Sequence, residues 1–274
     1  MTLFMTAALD ADRERLRDAR AIAARYGLTW LPRRRMSIRA LMREAGAGLL
    51  FVYGQNGLAL YDSGGTVYRY HPGTAVVRIK RLMNGNTDLM VEFARLRPGD
   101  RVFDATAGMA HDALVAAFVV GPEGEVMAVE KSRVLYILVD HGLKTFDGVD
   151  GAVRAAMRRI RLVHGDHAEL LPKTPPGSFD VVFFDPMFRR PVGRAVDATP
   201  EIHHFGDRAP LSDAAFDAAC RVARRAVIVK ERPGSDVFRR FGLEVHPRRA
   251  SFTYGRLDAT RVRGGRTVLK EDRR

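Results

Sequence analysis

Hydrophobic and polar positions divide the chain into two patterns. From residue 101 onward, short apolar runs alternate with longer segments of helical spacing. RVFDA (101–105), EVMAVE (125–130), IRLVHGD (160–166), DVVFFD (180–185) and AVIVK (226–230) read as strands. HDALVAAFVV, SRVLYILVDHGL, a short run after Asp166, Leu211 to Arg224 and SDVFRRFG read as the helices between and after them. Strands this apolar belong in a parallel sheet covered on both faces. The last two runs, LEVHPRR and SFTYGRL, lie close enough in sequence to pair antiparallel.

The first 75 residues follow a different pattern. Asp10 to Gly27 predicts an amphipathic helix with Leu16, Ala19, Ile22 and Ala23 on one face. Asp10 is placed to cap its start, and Gly27 stands just past its end. Ser37 opens a second short helix, SIRALMREAG. Leu49–Tyr53, Leu58–Tyr61 and Val67–Tyr70 predict three strands, separated by QNG and DSGG as in a β-meander. Arg78 to Leu96 supplies helical segments that lead through the turn RPGD into the alternating region. The expected organisation is a small α+β module over 1–75, a main domain over 76–260 and a basic tail over 261–274. The main domain is α/β and doubly wound. Its closing hairpin marks the class I methyltransferase variant of that sheet, whereas dehydrogenase sheets end differently.

Composition narrows the setting. A chain of 274 residues suits one large domain with a small companion, and 46% hydrophobic residues can bury a core. No uncharged apolar run of about 18 residues predicts a membrane span. MTLFMTAALDADRERL lacks the basic start of a secretory signal. The single cysteine, Cys220, excludes an internal disulfide framework and fits a reducing, cytoplasmic compartment. The net charge of +13 fits a polyanion partner such as nucleic acid. Only six of the 45 basic residues are Lys, so plain Arg abundance is the competing explanation.

Candidate chemistry gathers at the ends of the predicted strands. Ligands of doubly wound sheets bind outside the carboxyl ends of the strands. The first such exit, VFDATAGMAHDA, offers Asp104, Thr106 and Gly108, with His111 and Asp112 opening the next helix. It lacks the GxGxxG of dinucleotide sites, which favours a cofactor without a pyrophosphate. Glu130 ends the second strand, 26 residues after Asp104, where an acid can accept ribose hydroxyls. Gly165 and Asp166 end the third, where Asp166 serves equally as a helix cap or as a partner for an exocyclic amine.

The fourth exit, FFDPMF, joins Asp185, Pro186 and Phe188. A base-conjugated amine is a poor nucleophile. A carboxylate and a neighbouring carbonyl can hold its hydrogens and aim its lone pair, while an aromatic stacks on the ring. The alternative is a strand-terminating Asp-Pro turn. Basic clusters at Arg33, Arg34 and Arg35, and at Arg78, Lys80 and Arg81, are candidates for phosphate contact or simply for a solvated face. His203, His204, Glu201 and Asp207 match no standard metal spacing, so no metal is expected.

DATAGMAHDA, VEKS, GD and FFDPMF, preceded by HPGTAVVRIKRL, resemble the bacterial small-subunit rRNA guanine-N2 methyltransferase J family and its uncharacterised class I relatives. The resemblance runs from about His71 to Pro233. It implies S-adenosylmethionine (SAM) as cofactor and a pocket lined by His111, Asp112, Glu130, Lys131, Gly165, Asp166 and Asp185. Two positions depart: the family carries arginine where this chain has His111, and proline where it has Arg189. The expectation is a SAM-dependent N-methyltransferase acting on an exocyclic base amine, with rRNA or a ribosomal subunit as partner. DNA or a small molecule as substrate, and a non-catalytic RNA-binding role, stay open on the residues alone.

Overall fold

The computed structural model describes residues 2–186, 205–207, 209–247 and 251–260. It divides into two compact units. Among the described residues, the first comprises 2–71 with Ile137–Phe146, and the second the remainder.

The first unit begins with a strand that the sequence pattern did not predict, β1 (Phe4–Ala7). Helix α1 (Arg13–Tyr26) follows, capped by Asp12 rather than Asp10: the Asp12 carboxylate accepts from the Arg15 amide. Gly27 closes it in the left-handed conformation at φ 60°, which glycine adopts without a Cβ penalty. β2 (Thr29–Trp30), α2 (Ile38–Glu44), β3 (Leu49–Gly54), β4 (Gly57–Asp62) and β5 (Val67–Arg69) complete the set. The predicted meander β3-β4-β5 forms, but β1 and β2 extend it with parallel pairing into the order β2-β1-β3-β4-β5. Leu50 and Val52 pack under Leu41 and Met42 of α2.

The second unit starts with α3 (Gly73–Met83) and α4 (Leu89–Ala94). It continues through β6 (Arg101–Asp104), α5 (His111–Val120), β7 (Glu125–Glu130), α6 (Arg133–Thr145), α7 (Gly151–Arg159), β8 (Ile160–His164) and α8 (His167–Lys173). Then come β9 (Phe179–Phe184), α9 (Asp213–Val222), β10 (Ala223–Glu231), α10 (Asp236–Arg240), β11 (Glu244–Val245) and β12 (Thr253–Asp258). Helix α6 runs on into the first unit. There Tyr26 Oη donates to Asp140 at 2.7 Å and Tyr53 meets His141 edge-on.

The seven-stranded sheet has the order β11-β12-β10-β9-β6-β7-β8. Strands β10, β9, β6, β7 and β8 are parallel, and β12 is antiparallel to both β10 and β11. This is the class I methyltransferase sheet, with the predicted hairpin as its edge.

β9 shows why its sequence is apolar throughout. Val182 and Phe184 point into the core beneath α8 and α9, with Leu171, Phe216 and Ala219. Val181 and Phe183 are also buried, and Phe183 lies near Tyr254. Burying one such phenylalanine stabilises the fold by about 2–3 kcal/mol. From β6 the chain winds toward β7 and β8, and from β9 toward β10. The carboxyl ends of these two neighbours therefore open a crevice at the switch in strand order. No described helix is long and apolar enough to cross a membrane.

Candidate functional site

Three polar side chains meet where β6 and β9 end. The Thr106 amide donates to Asp104 Oδ1 at 3.0 Å, and the Asp185 amide donates to Thr106 Oγ1 at 2.6 Å. Thr106 thus ties the exit of β6 to the exit of β9. Asp104 is 2% exposed. Burial pushes its carboxyl up to about 8, against the pull of the Thr106 amide, and the carboxylates of Asp112, Asp185 and Glu130 add to the rise.

Glu130 lies one strand further on. Its carboxylate accepts from the amides of Gly108, at 2.8 Å, and Ser132, at 2.7 Å. Burial raises it to about 7 in spite of those donors. Four lone-pair positions belong to a carboxylate, so two amides do not exhaust it. Gly108 adopts φ 52°, and no atom lies within 4 Å of where its Cβ would stand, so the turn is open on that side. Helix α5 begins beside this turn without a side-chain cap, since Ala110 occupies the cap position in the left-handed region. The His111 ring packs on Gly73, where an added Cβ would come within 2.9 Å of it.

Lys131 bridges Asp166 at 2.9 Å and Asp207 at 2.7 Å, and those hydrogen bonds raise its pKa. The Gly165 amide donates to the Glu130 carbonyl, and Asp166 caps α8 through the Ala168 amide. Asp104, Thr106, Gly108, Glu130, Lys131, Gly165 and Asp166 accordingly occupy successive strand exits along one edge of the sheet.

A chain of ion pairs runs beneath the β9 exit. Arg78 grips Asp88 with two nitrogens, at 2.7 and 2.9 Å, and pairs with Asp112. Lys230 of β10 lies 3.3 Å from Asp112 Oδ2 and 2.7 Å from Asp185 Oδ2. Burial opposes charge on Asp112, but Lys230 and Arg78 outweigh it and hold the carboxyl well below the usual range. Burial also disfavours the Lys230 ammonium, and Asp112 and Asp185 more than restore it. Asp185 ends at about 6: burial raises it, Lys230 lowers it and Asp112 raises it again.

One expectation changes here. Arg78 was a candidate, with Lys80 and Arg81, for phosphate contact or a solvated face. Its guanidinium instead turns inward, because Asp88 and Asp112 neutralise it, while Lys80 and Arg81 are exposed. Lys230 was not singled out in the sequence, and the structure places it between two candidate site residues. Its signal was a charged residue closing the apolar run AVIVK, in the same relative place as Asp104, Glu130 and Asp185.

Arg33, Arg34 and Arg35 belong to the first unit. Arg33 Nε donates to the Met36 carbonyl at 2.8 Å, whereas Arg34 and Arg35 are exposed at φ 43° and 59°. Pro186 follows Asp185 at the strand mouth. Phe188, Arg189, Glu201, His203, His204 and the tail 261–274 lie outside the described residues.

Residues 63–239 match the SAM_MT family model, described as "Putative SAM-dependent methyltransferase". This chain belongs to that family. It is also 33% identical over 241 residues to the uncharacterised protein YpiP of Bacillus subtilis, covering 88% of this chain and 93% of that one. It is 35% identical over 139 residues to the ribosomal RNA small subunit methyltransferase J of Halorhodospira halophila, about half of each chain (49% and 50%). The methyltransferase J of Marinobacter nauticus is 27% identical over 260 residues, 90% of this chain and 83% of that one. The crystal structure of the SAM-dependent methyltransferase NGO1261 from Neisseria gonorrhoeae shares the fold, with a TM-score of 0.61 at 18% identity over 94% and 96% of the two chains. The protein is a SAM-dependent methyltransferase, and the strand exits described above are where a class I sheet binds its ligands.

Proposed function

We propose that this methyltransferase modifies an exocyclic amine of a base in small-subunit ribosomal RNA, with guanine N2 as the target. The observation that carries the reading is Asp185 at the mouth of β9. Its amide is fixed on Thr106 and its Oδ2 on Lys230, which holds the carboxylate at the end of β9 where an amine in the crevice would approach. The similarity to proteins named ribosomal RNA small subunit methyltransferase J supports the RNA, as does the net charge of +13.

The residues fit the cofactor. Glu130 accepts the ribose hydroxyls, Gly165 and Asp166 meet the adenine edge, and the open turn at Gly108 that leads into α5 receives the carboxylate. When bound, SAM would supply an electrophilic methyl group to the amine, which would lose one proton on methylation. Asp185 holds an amine hydrogen, orients the lone pair and offsets the positive charge that develops on nitrogen. Pro186 stiffens the backbone whose carbonyl takes the second hydrogen. The base reaches this pocket only when unstacked from its neighbours.

Mass-spectrometric mapping of rRNA from cells lacking the protein tests the reading. One small-subunit N2-methylguanine disappears, and the wild-type protein restores it while Asp185→Ala does not. An unchanged rRNA modification map would exclude the rRNA assignment, and RNase and DNase treatment of methyl acceptors in lysate would then identify the substrate class.

A further inference from the structure

Lys230 is surrounded more completely than a surface lysine at a strand end would be. Its side chain is 16% exposed, its Nζ lies 2.7 Å from Asp185 and 3.3 Å from Asp112, and the Phe252 ring centroid is 4.7 Å away. An ammonium has three hydrogens, and two carboxylates and an aromatic face account for them. Beyond Asp112 stands Arg78, itself forked onto Asp88. The five charged side chains come from α3, the loop before α4, α5, β9's exit and β10, so the position of Asp185 is referred to four other elements.

We propose that Lys230 is a positioning residue for methyl transfer: it keeps Asp185 ionised and turned so that its second oxygen faces the incoming amine. The inference rests on the assignment of Asp185 as amine acceptor. Without Lys230, Asp185 would face Asp112 across the gap with no cation between them. Burial and Asp112 already push its carboxyl up to about 6 with Lys230 in place. Asp104 behind the β6 exit keeps its proton up to about pH 8, Tyr254 on β12 is neutral, and Arg78 acts on Asp185 only past Asp112. Loss of the ammonium therefore leaves Asp185 at least about half protonated at neutral pH. A protonated carboxyl offers a hydrogen where the amine needs an acceptor, and it is no longer anchored to a partner on β10.

The decisive measurement needs no substrate. In the full-length protein labelled with 13C-aspartate, the Asp185 carboxyl is assigned by its absence from Asp185→Asn and titrated by NMR. The wild-type midpoint is expected near 6. Lys230→Met moves it up by about one to three pH units, the usual influence of a cation within contact distance. Lys230→Arg keeps it near the wild-type value, and Asp112→Asn moves it down by removing a like charge. An Asp185 midpoint unmoved in Lys230→Met overturns the proposal. Should that variant fail to fold, an unmoved or raised midpoint in Asp112→Asn overturns it.

Transfer of labelled methyl to small ribosomal subunits from cells lacking the protein separates this inference from the one beneath it. Lys230→Met loses about twofold to a hundredfold at pH 7, according to the size of the rise, and regains activity toward pH 9, whereas Lys230→Arg is active at both. Asp185→Ala is inactive throughout. Activity in Asp185→Ala would defeat the acceptor assignment while leaving the NMR result intact. An inactive Asp185→Ala beside a Lys230→Met of unchanged pH profile would defeat the role of Lys230 alone.

Discussion

Thr106 and Asp185, 79 residues apart, are joined by a hydrogen bond of 2.6 Å from the Asp185 amide to the Thr106 hydroxyl. One strand exit thereby sets the backbone of the other. Replacing Thr106 by valine keeps the shape and removes the acceptor, which leaves a part-buried N–H without its partner at a cost of about 1–3 kcal/mol. Urea unfolding is expected to show that loss. Methyl transfer is expected to fall by about tenfold, because a small misplacement of a reacting group is costly. Thr106→Ser should restore both. A Thr106→Val variant with wild-type stability and transfer would show that the link is incidental.

Asp104 gives the fold a pH dependence whose sign is fixed by burial. Its carboxyl titrates at about 8 in the folded chain, against about 3.9 in an unfolded one. The folded state holds a proton that the unfolded state has released. The contribution to stability is therefore complete below about pH 4 and is lost as pH rises through 8. Asp104→Asn keeps an oxygen for the Thr106 amide and removes the titration. Its stability relative to wild type should improve by at least about 1 kcal/mol between pH 5 and pH 8.5. Parallel melting curves for the two proteins across that range would contradict the assignment.

Glu130 should make cofactor affinity pH-dependent in the opposite direction. Its carboxyl stands at about 7 because burial outweighs the amides of Ser132 and Gly108. Accepting ribose hydroxyls requires the ionised form, so affinity for SAM should fall as pH drops below 7, and binding near pH 7 should release a proton. Glu130→Gln should bind more weakly by about 1.5–3 kcal/mol, the worth of hydrogen bonds to a charged group, with little pH dependence. Calorimetry at pH 6, 7 and 8 in buffers of different ionisation enthalpy measures both quantities. Wild-type binding that is flat with pH would remove Glu130 from this role.

The sequence pattern conveyed the sheet well, and for identifiable reasons. β7 occupies 125–130 and α5 occupies 111–120, as their apolar runs predict, because both elements bury most of their length. β1 escaped because FMTA is four residues with no turn signal before it. α7 escaped because Arg159 passes into Ile160 of β8 with no residue between helix and strand. The site was legible only where it is local. Asp104, Glu130 and Asp185 each end a strand and can be found one strand at a time. Lys230 meets Asp185 from 45 residues away and Asp112 from 118, and Arg78 meets Asp112 from 34. No periodicity conveys such pairings. Arg78 therefore read as part of a basic surface cluster until the third dimension supplied its acids.

Gly142 poses a direct contest between helix propensity and packing. It sits within α6, where alanine would be favoured by about 1 kcal/mol because glycine loses more backbone freedom on folding. A Cβ there would, however, stand 2.1 Å from Cγ of Tyr70 and 2.2 Å from its Cδ1. Those are ring atoms near the root of the side chain, so a rotation about the last bonds cannot clear them. Tyr70 is 6% exposed and meets Phe146 edge-on, which hinders its withdrawal. Overpacking of this kind typically costs about 1–3 kcal/mol and exceeds the propensity gain. Gly142→Ala should therefore lower the urea midpoint. In a background of Tyr70→Ala, where the ring is gone, the same substitution should become neutral or stabilising. A Gly142→Ala change that stabilises the protein with Tyr70 intact would mean that the close approach of this ring to α6 does not hold in solution.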